Sequence, residues 1–227
     1  MAIQISGTTV IDNSRNVTNA GTGAFSGTVT APTFSGAFPT VFQGINGAVY
    51  SGPATFTVGT DCPAQVTLVK MTVMGGGGNG GTGAPNATGG GGGSSIACFR
   101  YYPVSNGQAY SITVGGAAGT SSIVLSGSTL ISSTGGGSSP GSLAGTQAPT
   151  TQTGASWTSN SGKGTAGGVL ALTSGNGSDS IFGNGGTAVA PPSTGNPGTG
   201  FGSGGGGGGY PSRVGGNGQP GIVIIEW

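Results

Sequence analysis

Short apolar runs separated by long polar tracts are the dominant pattern of this chain. In the run VTLVKMTVM at 66–74, Val69, Met71 and Val73 alternate with other residues, a two-residue period typical of a half-buried β-strand. A second clear run lies at 48–56. No stretch shows the apolar spacing of an amphipathic helix, so the pattern predicts an all-β fold. Further strands are predicted at residues 110–114, 121–125, 128–132 and 222–227.

The final run, IVIIEW, differs from the others because it is apolar on both faces up to Ile225. Only a strand that is covered on both sides tolerates this pattern, so we predict a central strand at 222–227. The preceding Gln219-Pro220-Gly221 has the chemistry of a turn, which lets the chain reverse before it enters the sheet.

Glycine accounts for 55 of the 227 residues and fills polar tracts at about 75–93, 134–168 and 174–218. Glycine runs usually form flexible linkers or disordered segments. Here the apolar 33% of the chain is gathered into β-branched runs and the net charge is only +1, which favours order. Segments without side chains can pack backbone to backbone as extended polyproline-II-like helices, as collagen chains do. We therefore predict a β-sandwich-like glycine-rich domain with packed polyglycine segments, displaying loops at about 79–88, 135–162 and 174–203.

Residues 1–40 have a different pattern, in which β-prone triplets such as Thr9-Val10-Ile11 alternate with Asn, Asp, Ser and Gly. Strands of three residues bury too little surface to be stable alone. We therefore expect residues 1–40 to be an oligomerisation or attachment segment that depends on neighbouring chains, with a homotrimer as the assembly. Residues 41–227 form the second domain in this interpretation.

Charge and cysteine content narrow the function classes. The five scattered basic residues cannot follow a phosphate backbone, so nucleic acid is not an expected partner. Membrane insertion is not expected, because no apolar run approaches the roughly 18 residues of a spanning helix. The start MAIQISGTTV lacks the basic and apolar regions of a signal peptide, which favours synthesis in a cytosol. In that compartment Cys62 and Cys98 are expected to be buried thiols.

Catalytic and metal-binding chemistry has little support in the sequence. The chain has no His and only four acidic residues, and nothing in the spacing of Asp179 and Glu226 supports a glycosidase carboxylate pair. The G-x-G-x-x-G matches at 162–167 and 78–83 do not lie between a strand and a helix. The stretch 174–182 resembles one calcium-binding turn, but a second copy is missing from the sequence. We expect no enzyme activity, no cofactor and no metal.

Two stretches of the second domain resemble a known family. VYSGPATFTVGTDCPAQVTLVKMTVMGGGGNGG looks like the start of the glycine-rich domain of bacteriophage tail fibres and related virion proteins, and GGNGQPGIVIIEW looks like its closing strand. The resemblance covers roughly residues 50–227. In the first domain, SRNVTNAGTGAFSGTVTAPTF is similar to short repeats that precede many fibre tips. The stretch TDCPAQ at 60–65 departs from the smooth turn of the family.

The resemblance implies a virion protein that is assembled in the host cytoplasm as a trimeric fibre and joins other tail or baseplate proteins through residues 1–40. Its function would be that of a receptor-binding adhesin, whose displayed loops recognise a host surface polysaccharide or an outer-membrane protein. A structural virion protein, such as a capsid decoration or a fibre-connecting subunit, is the alternative. In that case the same loops contact neighbouring subunits.

Isolated aromatic residues among Ser, Thr, Asn and Gly are typical of binding surfaces built from rigid anchors and adaptable hydrogen-bonding groups. The alternative is that each ring only fills a gap in the glycine scaffold. The candidate receptor-binding residues are Trp157, Asn176, Phe182, Asn184, Phe201, Tyr210 and Arg213.

Overall fold

The computed structural model describes residues 3–5, 8–11, 46–146, 152–169 and 172–227. The chain divides into two compact units, Met1–Gln43 and Gly44–Trp227. Every named strand in the described ranges pairs antiparallel with its neighbours, and these ranges contain no helix. The all-β fold predicted from the sequence is therefore confirmed.

In the first unit, β1 (Ile3–Ile5) and β2 (Thr8–Ile11) form a two-stranded antiparallel sheet. The triplet Thr9-Val10-Ile11 lies in β2, as its β-prone residues predict. The predicted triplets around Val17 and Val29 lie outside the described residues.

The second unit contains a five-stranded and a four-stranded sheet. In spatial order, the five-stranded sheet consists of β10 (Trp157–Thr158), β6 (Ala97–Pro103), β5 (Leu68–Met74), β11 (Ile222–Glu226) and β3 (Gly47–Tyr50). The order in the four-stranded sheet is β4 (Ala54–Thr57), β7 (Ala109–Thr113), β8 (Ser121–Leu125) and β9 (Ser128–Ser133).

The two sheets share one hydrophobic core. Val69, Met71 and Val73 of β5 are buried in it, on the face that the two-residue alternation predicts. Burial of each such side chain is worth about 1.5–3 kcal/mol relative to exposure. The other fully buried core side chains from strands are Phe56, Cys98, Tyr110, Ile123, Ile131, Val223 and Ile225.

The strand β11 lies between β5 and β3, so the prediction of a central closing strand is confirmed. Its Ile225 pairs with Met71 on one side and with Ala48 on the other. Both neighbours satisfy its backbone. Val223 and Ile225 lie in the core, and on the outer face Ile222 is buried and Ile224 half-buried in a smaller apolar cluster, so the consecutive aliphatic residues of IVIIEW are accommodated.

One predicted strand is wrong, and one observed strand was not predicted. Residues 48–56 are not one strand, because β3 and β4 belong to different sheets. Gly52 and Pro53 lie in the bend between them, and proline lacks the N–H that a continuous ladder needs. The strand β6 was not predicted, since Arg100 interrupts its apolar pattern. The Arg100 guanidinium donates to the carbonyl of Leu130, which offsets the cost of its partial burial.

The glycine tracts form an array of extended segments that are joined by backbone hydrogen bonds. In the run 204–209, successive N–H groups donate to three different segments, and every third residue returns to the same one. Residues 204 and 207 donate to 178 and 175, residues 205 and 208 to 78 and 81, and residues 206 and 209 to 196 and 193. Its carbonyl groups accept from three further segments, through the N–H groups of residues 89 and 92, 186 and 216. This run therefore has six neighbours, three as donor and three as acceptor.

The close spacing of these segments requires glycine. A Cβ added at Gly205 would lie 2.0 Å from the carbonyl oxygen of Gly216, and one at Gly91 would lie 1.8 Å from that of Asn176. Real Cβ contacts below 3.0 Å are essentially never seen. The missing side chain is thus what lets neighbouring backbones approach to hydrogen-bonding distance.

The segments run alternately away from the sheets and back towards them. Gly77, Gly80 and Gly83 donate to the carbonyls of Gln219, Gly216 and Arg213, so the segment after β5 is antiparallel to the segment before β11. We call the end of the array that joins the strands the near end and the opposite end the far end. Turns at 84–87, 141–143, 190–193 and 210–213 lie at the far end, and turns at 180–183 and 200–203 lie at the near end.

Candidate functional site

The described residues include four far-end turns, and we call their combined surface the far-end surface. The N–H of Gly209 donates to the carbonyl of Ser193 at 2.9 Å, and the N–H of Gly83 donates to that of Arg213 at 2.8 Å, so three of these turns are joined to one another. The 141–143 turn is joined to a neighbouring segment instead, because the N–H of Gly167 donates to the carbonyl of Ser142 at 2.8 Å. These hydrogen bonds fix the backbones of the turns.

Large apolar side chains are exposed on the far-end surface. Leu143 is 64% exposed and Val214, next to the 210–213 turn, is 63% exposed. Val169 is also exposed, and it is joined to the 84–87 turn by a bridge to Ala87. These exposed apolar side chains make the far-end surface a candidate for binding a partner.

The charged groups of the second unit are distributed unevenly. Arg213 is exposed on the far-end surface, whereas the carboxylates of the described residues lie elsewhere. The Asp61 carboxylate accepts from the Thr57 N–H at 2.6 Å, the Asp179 carboxylate accepts from the Gly185 N–H at 2.7 Å, and that of Glu226 pairs with Lys70 at 2.8 Å. These three carboxylates have separate partners in different parts of the unit, so the structure does not bring them together as an acid–base pair.

The seven candidate receptor-binding residues do not form one site. Tyr210 and Arg213 belong to the 210–213 turn of the far-end surface. The turns that contain Phe182 and Phe201 meet at the near end, where the Ser180 hydroxyl donates to the Phe201 carbonyl at 2.6 Å. Phe201 is half-buried against Met74, Ala97 and Ile222, so its ring fills a gap between the array and the sheet.

The two candidate asparagines also have structural roles in the array. The side-chain carbonyl of Asn176 accepts from the Ala188 N–H at 2.5 Å and joins two neighbouring segments. The backbone carbonyl of Asn184 accepts from the Thr199 N–H at 2.9 Å and joins the turns at the near end. Both side chains are exposed.

Trp157, the remaining candidate, lies on the outer face of the five-stranded sheet, opposite to the core. Its ring is stacked on Phe99 with 5.7 Å between centroids and 10° between planes, and Tyr101 is 5.5 Å away at 43°. We call these three rings the aromatic platform. The alternating aromatic residues Phe99 and Tyr101 are a sequence signal for the aromatic platform, but the strand β6 that contains them was not predicted.

The predicted display loops coincide only in part with the far-end surface. The ranges 79–88, 135–162 and 174–203 each contain one far-end turn, but the 210–213 turn and Val169 lie outside them. The signal for the 210–213 turn is present in the sequence, because Tyr-Pro-Ser-Arg interrupts the glycine run with turn-forming residues.

Both cysteines are buried free thiols in the core between the sheets. Burial raises the pKa of Cys98 to about 11, and a hydrogen bond with Ser133 partly offsets this effect. Burial likewise raises the pKa of Tyr110 to about 12, with smaller contributions from Tyr102 and Cys62. The buried Cys98 thiol is therefore protonated at neutral pH and is a poor nucleophile or metal ligand.

Within the described ranges, no cluster of three or more His, Cys, Asp or Glu side chains could bind a metal ion. The same ranges also hold no helix that is long and apolar enough to cross a membrane.

No protein-family model matches the chain, and no curated protein matches it.

Proposed function

We propose that this chain is a bacteriophage tail-fibre protein whose far-end surface binds the host cell without catalysis. The observation that supports the proposal is an array of hydrogen-bonded glycine segments whose far-end turns carry or adjoin exposed apolar side chains. The resemblance of the two ends of the second unit to glycine-rich fibre domains supports the same function.

The array suits the display of a binding surface because backbone hydrogen bonds join its segments along their length. The three-residue period of its hydrogen bonds matches the three residues per turn of a polyproline-II helix, and we infer that the glycine segments are such helices. Since six neighbours fix a central segment, the turns at its end are held in place before a partner arrives. Preorganised loops bind with a smaller loss of conformational entropy.

The far-end surface also has the chemistry of a binding surface. Leu143 and Val214 are 64% and 63% exposed, so covering the remaining surface of each would be favourable by about 1–2 kcal/mol. Tyr210 and Arg213 belong to the residue types that most often dominate binding energy. A host surface polysaccharide or an outer-membrane protein is the proposed partner.

Residues 1–40 complete the proposal. We assign to them the attachment to other tail or baseplate proteins and the assembly of a homotrimer in the virion, after synthesis in the host cytoplasm. Their short β-prone triplets, of which Thr9-Val10-Ile11 lies in β2, bury too little surface to be stable without partner chains.

A cell-binding assay tests this function. The fluorescently labelled full chain is incubated with a panel of bacterial strains, and bound label is measured by flow cytometry. We expect Leu143→Asp and Val214→Asp to reduce binding to a recognised strain at least about tenfold, since a charge would then be buried against the host.

The matched control is Ile181→Asp, which places the same charge at an exposed aliphatic position of the near end. It should bind as the unsubstituted chain does, and all three variants should keep the original melting temperature. Undiminished binding by the two far-end variants, or binding to none of the strains, would contradict the proposed function.

A further inference from the structure

The outer face of the five-stranded sheet leaves aromatic surface open to solvent. Tyr101 is 55% exposed and Trp157 is 43% exposed, although the two rings are in contact. Val49 and Leu68 on the same face are exposed as well. This face lies on the sheets and is separate from the far-end surface, so the proposed function above leaves it unused.

The aromatic platform is held rigidly. Trp157 belongs to the two-residue strand β10, and backbone hydrogen bonds on both sides of it fix this strand to β6. The N–H of Ser156 donates to the Phe99 carbonyl and that of Ser159 to the Ala97 carbonyl, each at 2.8 Å. Parallel stacking on Phe99 then fixes the plane of the Trp157 ring. An exposed aromatic surface with a fixed Trp157 ring is therefore present before any ligand binds.

A groove lies directly beside the platform. It has a volume of about 290 Å³ and is lined by Leu68, Val69, Lys70, Tyr101, Glu226 and Trp227. Its charged lining groups are the Lys70 ammonium and the Glu226 carboxylate, which are 2.8 Å apart and both partly exposed. The groove thus offers hydrogen-bond donors and acceptors next to a ring surface.

This combination matches the chemistry of a sugar. The C–H face of a pyranose ring stacks on the negative face of an aromatic ring, while its hydroxyl groups can both donate and accept hydrogen bonds. The Lys70–Glu226 pair is neutral as a whole, so it favours an uncharged sugar over an acidic one. A protein that covered the pair with apolar groups would have to desolvate both charges, which is unfavourable.

We propose that the aromatic platform and the adjoining groove bind a neutral hexose glycan. Trp157 and Tyr101 stack on the sugar rings, and the Lys70–Glu226 pair binds hydroxyl groups. The size of the groove suits one or two sugar residues, at the small end of ligand sites in proteins. The proposal does not depend on the far-end surface and goes beyond host binding by that surface.

Tryptophan fluorescence provides a direct test, because the chain has two tryptophans and both flank this site. The full chain is titrated with oligosaccharides of glucose, mannose and galactose. We expect at least one series to shift the emission with saturation, and Tyr101→Ala to weaken that binding at least about tenfold while both tryptophans remain. Lys70→Gln should also weaken it, with unchanged melting.

The matched control is Phe182→Ala, which removes an exposed ring at the near end of the array and should bind the same sugar with unchanged affinity. Leu143→Asp should also retain sugar binding, which separates this proposal from the proposed function. The proposal is overturned if none of the oligosaccharides binds, or if Tyr101→Ala binds as well as the unsubstituted chain. It is also overturned if light scattering shows that Tyr101→Ala separates copies of the chain, since the face would then be an interface between copies.

Discussion

A methyl group added at Gly207 would lie 2.0 Å from the carbonyl oxygen of Gly89, whereas one added at Gly116 would meet nothing within 4 Å. The two positions therefore separate two roles of glycine. At Gly207 the missing side chain allows two backbones to come together. At Gly116 it only adds freedom to the unfolded chain.

We predict that Gly207→Ala destabilises the protein by roughly 1–3 kcal/mol or more, because a backbone segment must move to make room. Gly116→Ala should change stability by less than about 1 kcal/mol and can be stabilising. Urea unfolding of the two variants measures the difference. Equal stability of the two variants would contradict the close packing of the array.

The buried Cys98 thiol makes stability depend on pH in the alkaline range. Its pKa is raised from 9.0 to about 11, so between these values the unfolded chain releases a proton that the folded chain keeps. The folded state then binds more protons than the unfolded state, and stability falls as the pH rises above 9. Tyr110, raised from 10.0 to about 12, adds to the fall from pH 10 upwards.

Urea midpoints measured in steps from neutral pH to about pH 11 test this prediction. Stability should be nearly constant to about pH 8.5 and decrease above it. In Cys98→Ala the decrease should be shallower, because the Cys98 contribution is lost while those of Tyr110 and of Tyr50, whose pKa burial also raises, remain. An identical slope in the variant would show that Cys98 does not contribute.

Among the elements, β11 joins the two kinds of structure in the second unit. It follows the last glycine segment and pairs with both β5 and β3. Ile225 is fully buried in the core, whereas its neighbour Ile224 lies on the outer face and is half-buried. The two faces of one strand thus make different contributions to stability.

We predict that Ile225→Ala lowers the free energy of unfolding by about 2–5 kcal/mol, the usual cost of removing a buried aliphatic side chain. Ile224→Ala should cost clearly less, because part of the side chain is already in water. Thermal or urea unfolding measures both. A larger effect of Ile224→Ala would show that the core lies on the opposite face of β11.

Sequence patterns predicted the strands well where alternation was clean. The alternation Val69, Met71, Val73 and the two-sided IVIIEW correctly indicated the core face and the central position. The pattern failed for β6, where Arg100 faces the core side and is satisfied by the Leu130 carbonyl. Such a partner is not visible in a sequence, and neither is the change of sheet at Gly52 and Pro53.

The candidate binding residues were predictable as residue types but not as a group. Aromatic residues stood out in the glycine tracts, yet the structure places Tyr210 at the far end, Phe201 against the sheet and Trp157 on the outer face. Their positions depend on which segments pair in the array. Because glycine segments have no side chains, the sequence contains no pattern that specifies these pairings.

In the molecule as a whole, the glycine runs are rigid parts of the structure and not flexible linkers. In the described part of the second unit, backbone hydrogen bonds connect segments that are far apart in sequence, such as Gly78 with Gly93 and Gly92 with Gly205. Opening one segment breaks bonds to several neighbours at once. The array should therefore open only with the sheets that it joins.

Native-state amide hydrogen exchange across residues 89–93 and 204–209 distinguishes rigid segments from linkers. We expect these amides to exchange as slowly as those of β5 and β11, because their N–H groups are hydrogen-bonded and buried within the array. The reference is the same chain unfolded in denaturant. Exchange of the glycine amides at the rate of the unfolded chain, while β5 and β11 stay protected, would show that the glycine runs are flexible linkers and that the array is not a rigid structure.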